Sequence, residues 1–273
     1  MKHICVTPAG RRRYLEILHK HIAHQQHKGY VDEWHLWVNT KEQEDLDFCN
    51  KLAEEYPEWI KAIHLPDNDQ TGTSWNIHRF FKYSVDPDTV YTRLDDDVVW
   101  LQEDYFKRIY EYRVAHPEFF LVYGNIVNNA LIAHLQQKRG VIDKSKGVCA
   151  YDVFDPVGWQ CPKFAEAIQR WFLKDLQEGK LSKWHMDPVV LKRYERMSIN
   201  GISWLGSEFA AFEGCVGLDE ESWLASEKPK ALKKPNAMCG DAMCIHFSFF
   251  TQRAHLDTTD LMDIYRTLAP ALP

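Results

Sequence analysis

Hydrophobic residues in the first hundred positions alternate between two patterns. Short runs that are apolar throughout predict buried strands, and longer stretches with an apolar residue every three or four positions predict helices. The predicted strands are residues 3–7, 34–39, 60–65 and 90–94, and the predicted helices are residues 12–27, 42–55 and 74–82. Strands that alternate with helices are typical of a mainly parallel sheet with helices on both faces. We therefore expect an α/β fold of the Rossmann-like kind.

The second half of the chain has a less regular pattern. It predicts helices at residues 103–116, 162–177, 188–197 and 251–269, and strands at residues 119–123, 199–204, 215–217 and 242–249. No long linker and no internal repeat marks a second domain. We expect one domain over residues 1–273, in which an elaborated second half follows the regular first half.

Composition excludes several classes of partner. A formal net charge of -6 argues against binding to the phosphate backbone of a nucleic acid. No apolar run reaches the length of a membrane span, and the N-terminus lacks the apolar core of a signal peptide. Seven scattered cysteines without C-x-x-C spacing are typical of reduced thiols. The expectation is a cytoplasmic protein that has no nucleic-acid partner and no membrane span.

Three consecutive carboxylates, Asp95, Asp96 and Asp97, follow the fourth predicted strand. At an effective dielectric near 20, two unit charges about 4 Å apart repel by roughly 4 kcal/mol, and a hard divalent cation would relieve that repulsion. Strand periodicity places Asp95 and Asp97 on one side and Asp96 on the other. Because ligands of such sheets bind beyond the carboxyl ends of the strands, the triplet predicts a cation site that could also receive a diphosphate.

Strand–helix alternation that leads to an Asp-x-Asp strand end resembles the GT-A fold of nucleotide-sugar-dependent glycosyltransferases, family 2-like. The resemblance implies a metal-dependent hexosyl- or pentosyltransferase. Such an enzyme moves a sugar from a nucleoside-diphosphate sugar to a glycan or another hydroxyl acceptor, here with inversion. It also implies that residues 1–125 bind the nucleotide sugar and that residues 126–273 bind the acceptor.

The same resemblance implies roles for individual residues. It assigns the nucleotide sugar to the loop after the first strand, to the acid after the third strand and to the triplet. These residues are Thr7, Pro8, Ala9, Gly10, Arg11, Asp67, Asp95 and Asp96. Arg93, two residues before Asp95, is a further candidate for a phosphate contact.

The implied metal ligands are Asp95, Asp97 and a late histidine, here His246. Without the resemblance, a single histidine in an apolar strand is more often a core residue. Imidazole nitrogen suits Mn²⁺ better than Mg²⁺, so Mn²⁺ is the expected cofactor and Mg²⁺ the alternative.

Inverting members of this family use a carboxylate as general base, and the sequence offers three candidates. Asp219, at an acidic helix start, ranks first, and Glu208 and Asp187 follow. A retaining reaction would need no base of this kind, and the sequence leaves the two stereochemical outcomes open.

Two other functions compete with glycosyl transfer. The triplet also matches the nucleophile loop of haloacid-dehalogenase-like phosphatases, with Asp95 as nucleophile and Asp97 as general acid. That family normally opens with this strand, whereas here nearly a hundred residues precede it. Gly240-Asp241 is also followed by Ile245 where a second acid is expected. A non-catalytic carbohydrate-binding protein, for which the scattered aromatic residues would suffice, ranks third.

Overall fold

The computed structural model describes residues 1–66 and 74–273 of the chain. The strands are β1 Lys2–Ala9, β2 Glu33–Val38, β3 Ile60–Ile63, β4 Thr89–Leu94, β5 Val98–Leu101, β6 Val122–Val127, β7 Val189–Leu191, β8 Gly201–Leu205 and β9 Asn236–His246. The α-helices are α1 Arg12–His27, α2 Gln43–Glu55, α3 Tyr105–Ala115, α4 Ala130–Lys138, α5 Pro162–Gln177, α6 Gly206–Ala210, α7 Glu220–Ser222, α8 Lys228–Leu232, α9 Phe250–Leu256 and α10 Leu261–Leu268. Segments of 3₁₀ helix cover Ser74–Tyr83 and Leu181–Lys183, and π-helical turns cover Pro156–Gln160 and Trp223–Glu227.

The strands of the described ranges form one sheet in the order β3-β2-β1-β4-β8-β6-β9-β5, and β7 pairs with β9. Strands β3, β2, β1 and β4 are parallel neighbours. Strand β8 is antiparallel to both β4 and β6, so β6 and its parallel neighbour β9 run in the same direction as β4. Strands β5 and β7 are antiparallel to β9. The expected α/β class with a mainly parallel sheet is confirmed.

The apolar runs form strands that are buried along almost their whole length. All six residues of β2 and seven of the eight residues of β1 are buried. Such continuous burial is typical of parallel strands that are covered on both faces. Helix α1 contributes Leu15 and Leu18 to the core around β1, and Tyr14 and Ile17 to a second core around β5 and β9.

Several elements of the second half differ from the predicted pattern. Residues 188–197 were expected to be helical, but they contain the short strand β7, which joins the edge of β9. Residues 215–217 form no strand, and residues 251–269 are divided into α9 and α10. The prediction also lacked β5, which directly follows the acidic triplet and pairs with β9.

The model contains no candidate membrane-crossing helix in the ranges that it describes, since none is both long and apolar enough.

Candidate functional site

A cavity of about 670 Å³ opens at the carboxyl edge of the sheet. Because β1, β4 and β9 run in one direction, the residues that follow or end them meet at this edge. Gly10 and Arg11 come after β1, the triplet comes after β4, and His246 ends β9. The position is the one where ligands of open α/β sheets bind.

The acidic triplet divides between two sets of partners. Asp95, Asp97 and His246 bring potential ligand atoms within 4.8 Å of one another. Asp96 faces the loop after β1, where its Oδ2 accepts a hydrogen bond of 3.1 Å from the backbone N–H of Gly10. Its carboxylate also forms an ion pair with Arg11. The triplet lies in the turn between β4 and β5 and not on a strand, so this turn, and not strand periodicity, places Asp96 away from the Asp95–Asp97–His246 cluster.

Positive groups surround the carboxylate of Asp97. Its Oδ2 lies 2.9 Å from Nη1 of Arg11 and 3.5 Å from Nη2 of Arg253. Burial alone would raise the pKa of Asp97, but Arg11, His246 and Arg253 outweigh it and hold the pKa below its ordinary value. For Asp96 the result is the opposite, since burial raises its pKa against the attraction of Arg11. Asp97 is therefore the more readily ionised of the two.

The Asp97–His246 pair fits a cation. Nδ1 of His246 lies 3.2 Å from the backbone carbonyl of Asn128, so a proton on Nδ1 leaves the lone pair of Nε2 available. Nε2 lies 3.4 Å from Oδ1 of Asp97, a buried oxygen without a hydrogen-bond partner in the part of the chain that the structure describes. A second ring nitrogen held by a backbone carbonyl is typical of a metal-binding histidine. Asp95, Asp97 and His246 could hold a divalent cation.

Arg93 joins Asp95 to a carboxylate from the second half of the chain. Its Nη2 lies 2.8 Å from Oδ1 of Asp95, and its Nη1 lies 3.0 Å from Oε1 of Glu220. The other oxygen of Asp95 accepts a hydrogen bond of 3.0 Å from Asn200. The guanidinium of Arg93 is buried between two carboxylates. It acts as a bridge between them, and a phosphate would have to displace one of them to reach it.

Glu220 is a buried acid with an unusual protonation equilibrium. Burial raises its pKa to about 7, and the attraction of Arg93 offsets only part of that effect. Oε2 of Glu220 finds no hydrogen-bond partner within residues 1–66 and 74–273. A carboxyl group with this pKa can exchange a proton near neutral pH.

Asp219 lies next to Glu220 but has different surroundings. Its Oδ1 accepts a hydrogen bond of 3.0 Å from the backbone N–H of Ser222 and so caps α7. Two nitrogens of Arg196 contact its carboxylate, each at 3.0 Å, and Nε of the same arginine lies 2.8 Å from Glu221. Asp219 lines the cavity, and half of its side chain is exposed.

Strand β1 extends through Ala9, so three of the five residues predicted for the loop after it belong to the strand, and three of the five line the cavity. Pro8, Gly10 and Arg11 line the cavity. Thr7 and Ala9 are buried in the core, where Oγ1 of Thr7 accepts a hydrogen bond of 3.0 Å from an indole N–H. A Cβ at position 10 would lie 2.9 Å from a backbone oxygen of the loop after β2, so glycine permits this close approach.

Two of the other predicted residues are not brought to the cavity. Glu208 lies in the first turn of α6 and pairs with Lys234, and Asp187 is exposed just before β7. Neither is among the described residues that line the cavity. Asp67 lies outside the described residues.

Sequence reasoning passed over three residues of the site. Glu220 lies in the acidic run from which Asp219 was chosen, so a visible signal existed. Arg196 and Asn200 carried no such signal, because their partners come from segments distant in the chain.

Comparisons with known proteins leave the activity open. No protein-family model matches the chain, and no curated protein matches it. Among solved structures, the chain is similar to one described as the crystal structure of 4-diphosphocytidyl-2C-methyl-D-erythritol synthase. That similarity has a TM-score of 0.46 at 14% sequence identity, and it covers 98% of both chains. The function is therefore argued from the site.

Proposed function

We propose that this protein is a metal-dependent glycosyltransferase that moves a hexosyl or pentosyl unit from a nucleoside-diphosphate sugar to a hydroxyl acceptor. The observation that carries the proposal is the convergence of Asp95, Asp97 and His246 at the carboxyl edge of the sheet. A buried, unpartnered Asp97 oxygen faces an imidazole nitrogen there. This donor set suits Mn²⁺ and, less well, Mg²⁺.

In this proposal the donor diphosphate lies beside Asp97. A cation held by Asp95, Asp97 and His246 would supply charge stabilisation to the departing diphosphate. Arg11 and Arg253 both pair with the carboxylate of Asp97. Because 31% of each arginine side chain is exposed, both can turn toward phosphate oxygens. Arg93, with its two carboxylate partners, orients Asp95 instead.

The nucleoside is proposed to occupy the side of the cavity near the loop after β1. Pro8 and Gly10 bring backbone to this surface, and Gly10 leaves room beside the loop after β2. Trp75 also lines the cavity with 61% of its surface exposed, and its indole offers a face on which a base can stack.

We assign the general base to the acidic start of α7, with Glu220 as the first candidate. A base works best when its pKa lies near the operating pH, and the pKa of Glu220 is about 7. Asp219 was the first choice from the sequence. It becomes the second candidate because its carboxylate already forms an ion pair with Arg196. In the transfer, the base takes the acceptor O–H proton while that oxygen attacks the anomeric carbon. The bond to the diphosphate breaks on the opposite face, and its electron pair leaves with the phosphate oxygen.

The site supports the phosphatase alternative less well. The general acid of that mechanism must be protonated, whereas the surroundings of Asp97 lower its pKa. This requirement conflicts with the observed contacts of Asp97.

Thermal denaturation with UDP, GDP, CDP and dTDP, each with Mn²⁺ or with EDTA, tests the proposal. A ligand at 100 times its Kd stabilises the folded state by about 2.7 kcal/mol. We expect at least one nucleotide to raise Tm with Mn²⁺ and none to do so with EDTA. If no nucleotide raises Tm under either condition, the glycosyltransferase proposal is wrong.

A further inference from the structure

Three aromatic side chains form one wall of the cavity, which we call the aromatic wall: Phe154, Trp159 and Phe250. The rings of Phe154 and Trp159 are 5.3 Å apart at an angle of 79°, and those of Trp159 and Phe250 are 5.2 Å apart at 82°. Phe154 is 45% exposed and Phe250 is 71% exposed. Exposed rings that cluster at a cavity mark a surface that binds a ligand.

Hydrogen bonds hold the aromatic wall in place. The carboxylate of Asp155 accepts from the backbone N–H groups of residues 157 and 158, which fixes the turn that carries Trp159. The carbonyl of Trp159 accepts from the hydroxyl of Thr251, and Gln252 donates to the carbonyl of Gly158. The turn and the start of α9 are thereby joined. The rings are presented by a fixed backbone, which lowers the entropy lost when a ligand binds.

Charged groups adjoin the aromatic wall at Phe154. The guanidinium of Arg196 lies 5.1 Å from the centre of the Phe154 ring. The same guanidinium pairs with Asp219 and Glu221. The surface therefore combines ring faces, which carry partial negative charge, with planar groups that donate or accept two hydrogen bonds at once. A ligand that fits it needs an apolar C–H face and hydroxyl groups at its edge.

The aromatic wall is also connected to the acid cluster. Phe249 packs edge-on against His246 with ring centres 4.6 Å apart, and its ring centre lies 6.2 Å from that of Trp159. Phe249 therefore links Trp159 of the aromatic wall to His246, and all three line the same cavity. This arrangement suits a second substrate that must reach a group bound at Asp97 and His246.

We infer that the aromatic wall and Arg196 bind the acceptor, and that the acceptor is a carbohydrate whose sugar ring stacks on Phe154 and Phe250. This inference rests on the proposed function, since it names the second substrate of the same cavity. A pyranose presents polarised C–H groups on one face and hydroxyls at its rim, and this surface offers partners for both. A purely apolar chain would leave Arg196, Asp219 and Glu221 without a role in recognition.

Calorimetric titration of the whole protein with trisaccharides of glucose, galactose, mannose, xylose, rhamnose and N-acetylglucosamine tests the inference, with and without nucleoside diphosphate and Mn²⁺. We expect at least one trisaccharide to bind. Phe154→Ala and Phe250→Ala should each weaken it at least 10-fold, whereas Phe154→Tyr should retain binding. Tyr83→Ala removes an exposed aromatic side chain outside the cavity and serves as the matched control.

Two results would overturn the inference. One is that no trisaccharide binds, and the other is that Phe154→Ala and Phe250→Ala bind as tightly as the wild type. A third result would assign the aromatic wall to a lipid acceptor instead. In that result no trisaccharide binds, but micelles of short-chain phosphatidylcholine bind, and this binding is lost in both Phe154→Ala and Phe250→Ala. Nucleotide binding in the same titrations separates the two proposals. If nucleotides bind but sugars do not, only the acceptor assignment fails.

Discussion

Arg93 and Glu220, which are 127 positions apart in the chain, form a buried ion pair in which Nη1 lies 3.0 Å from Oε1. The same guanidinium holds Asp95 at 2.8 Å. One side chain on β4 therefore connects a proposed cation ligand with the acid that we assign as general base. Removal of one partner from a buried pair leaves an uncompensated charge, which is far more destabilising than the loss of a surface pair.

Arg93→Met should destabilise the protein by roughly 3–5 kcal/mol, because it leaves Asp95 and the buried Glu220 without the cation that they share. The midpoint of urea unfolding measures this change. The double variant Arg93→Met/Glu220→Gln should recover part of the loss, since a neutral amide then replaces the buried acid that lost its partner. Arg12→Met, which breaks a surface pair with Glu16, is the control and should shift the midpoint little. Equal effects of the two single changes would contradict the bridging role.

Glu220→Gln should lower kcat by at least about 100-fold while nucleotide affinity stays unchanged, because a general base contributes about 10²–10⁴-fold. In the wild type, kcat/KM should rise with pH through about 7, since only the ionised carboxylate accepts a proton. That limb of the profile should disappear in the variant. Asp219→Asn is the comparison, and the reverse pattern of losses would move the base to Asp219.

Asp97→Asn should weaken Mn²⁺ binding by at least about 100-fold, since even an outer partner of a metal ligand contributes about 10–100-fold. Electron paramagnetic resonance of free Mn²⁺ measures the affinity without any need for activity. Asp96→Asn is the matched control, because Asp96 contacts Gly10 and Arg11 and lies outside the Asp95–Asp97–His246 cluster. If both variants bind Mn²⁺ like the wild type, the cation site is elsewhere.

Stability should fall as the pH drops below 7, in part because of His19. Its ring stacks near Trp34 and Trp59, and burial lowers its pKa to about 4. Because this folded-state pKa lies below the unfolded value near 6.5, the contribution is complete above 6.5 and is lost as the pH falls toward 4. His19→Phe should reduce the change in unfolding free energy over this interval by up to about 3 kcal/mol. His27→Phe, at the exposed end of α1, should leave the slope unchanged.

The regular elements were predicted best where local signals mark their ends. Helices α1 and α5 begin and end at the residues that the periodicity indicated. In α5, Pro162 stands at the first turn and Gly179, with a positive φ of 70°, follows the end. Residues 188–197 also begin with a proline, Pro188, but Val189–Leu191 pair with the edge of β9 and form β7 instead of a helix.

The position of the candidate site was predictable, but most of its contacts were not. The triplet follows an apolar run, so its place at a strand end was visible in the sequence. The distant partner of Arg93 is Glu220 in α7, which is 127 positions further along the chain, and no local pattern encodes that contact. The aromatic wall likewise joins Trp159 to Phe250, from a separate segment of the chain, and no local pattern encodes that contact.

The charged side chains that line the cavity bear on the order in which the proposed ligands enter. Among the described residues, six carboxyl groups, four guanidinium groups and His246 line it, and an excess of two negative charges remains when every acid is ionised and the imidazole is neutral. This excess develops as the pH rises above the pKa of Glu220, which is about 7. A nucleoside diphosphate is itself an anion, and in the proposed function one divalent cation would cancel the excess. We therefore expect the cation to enter before the nucleotide or together with it, and a chelator should abolish binding equally for every base.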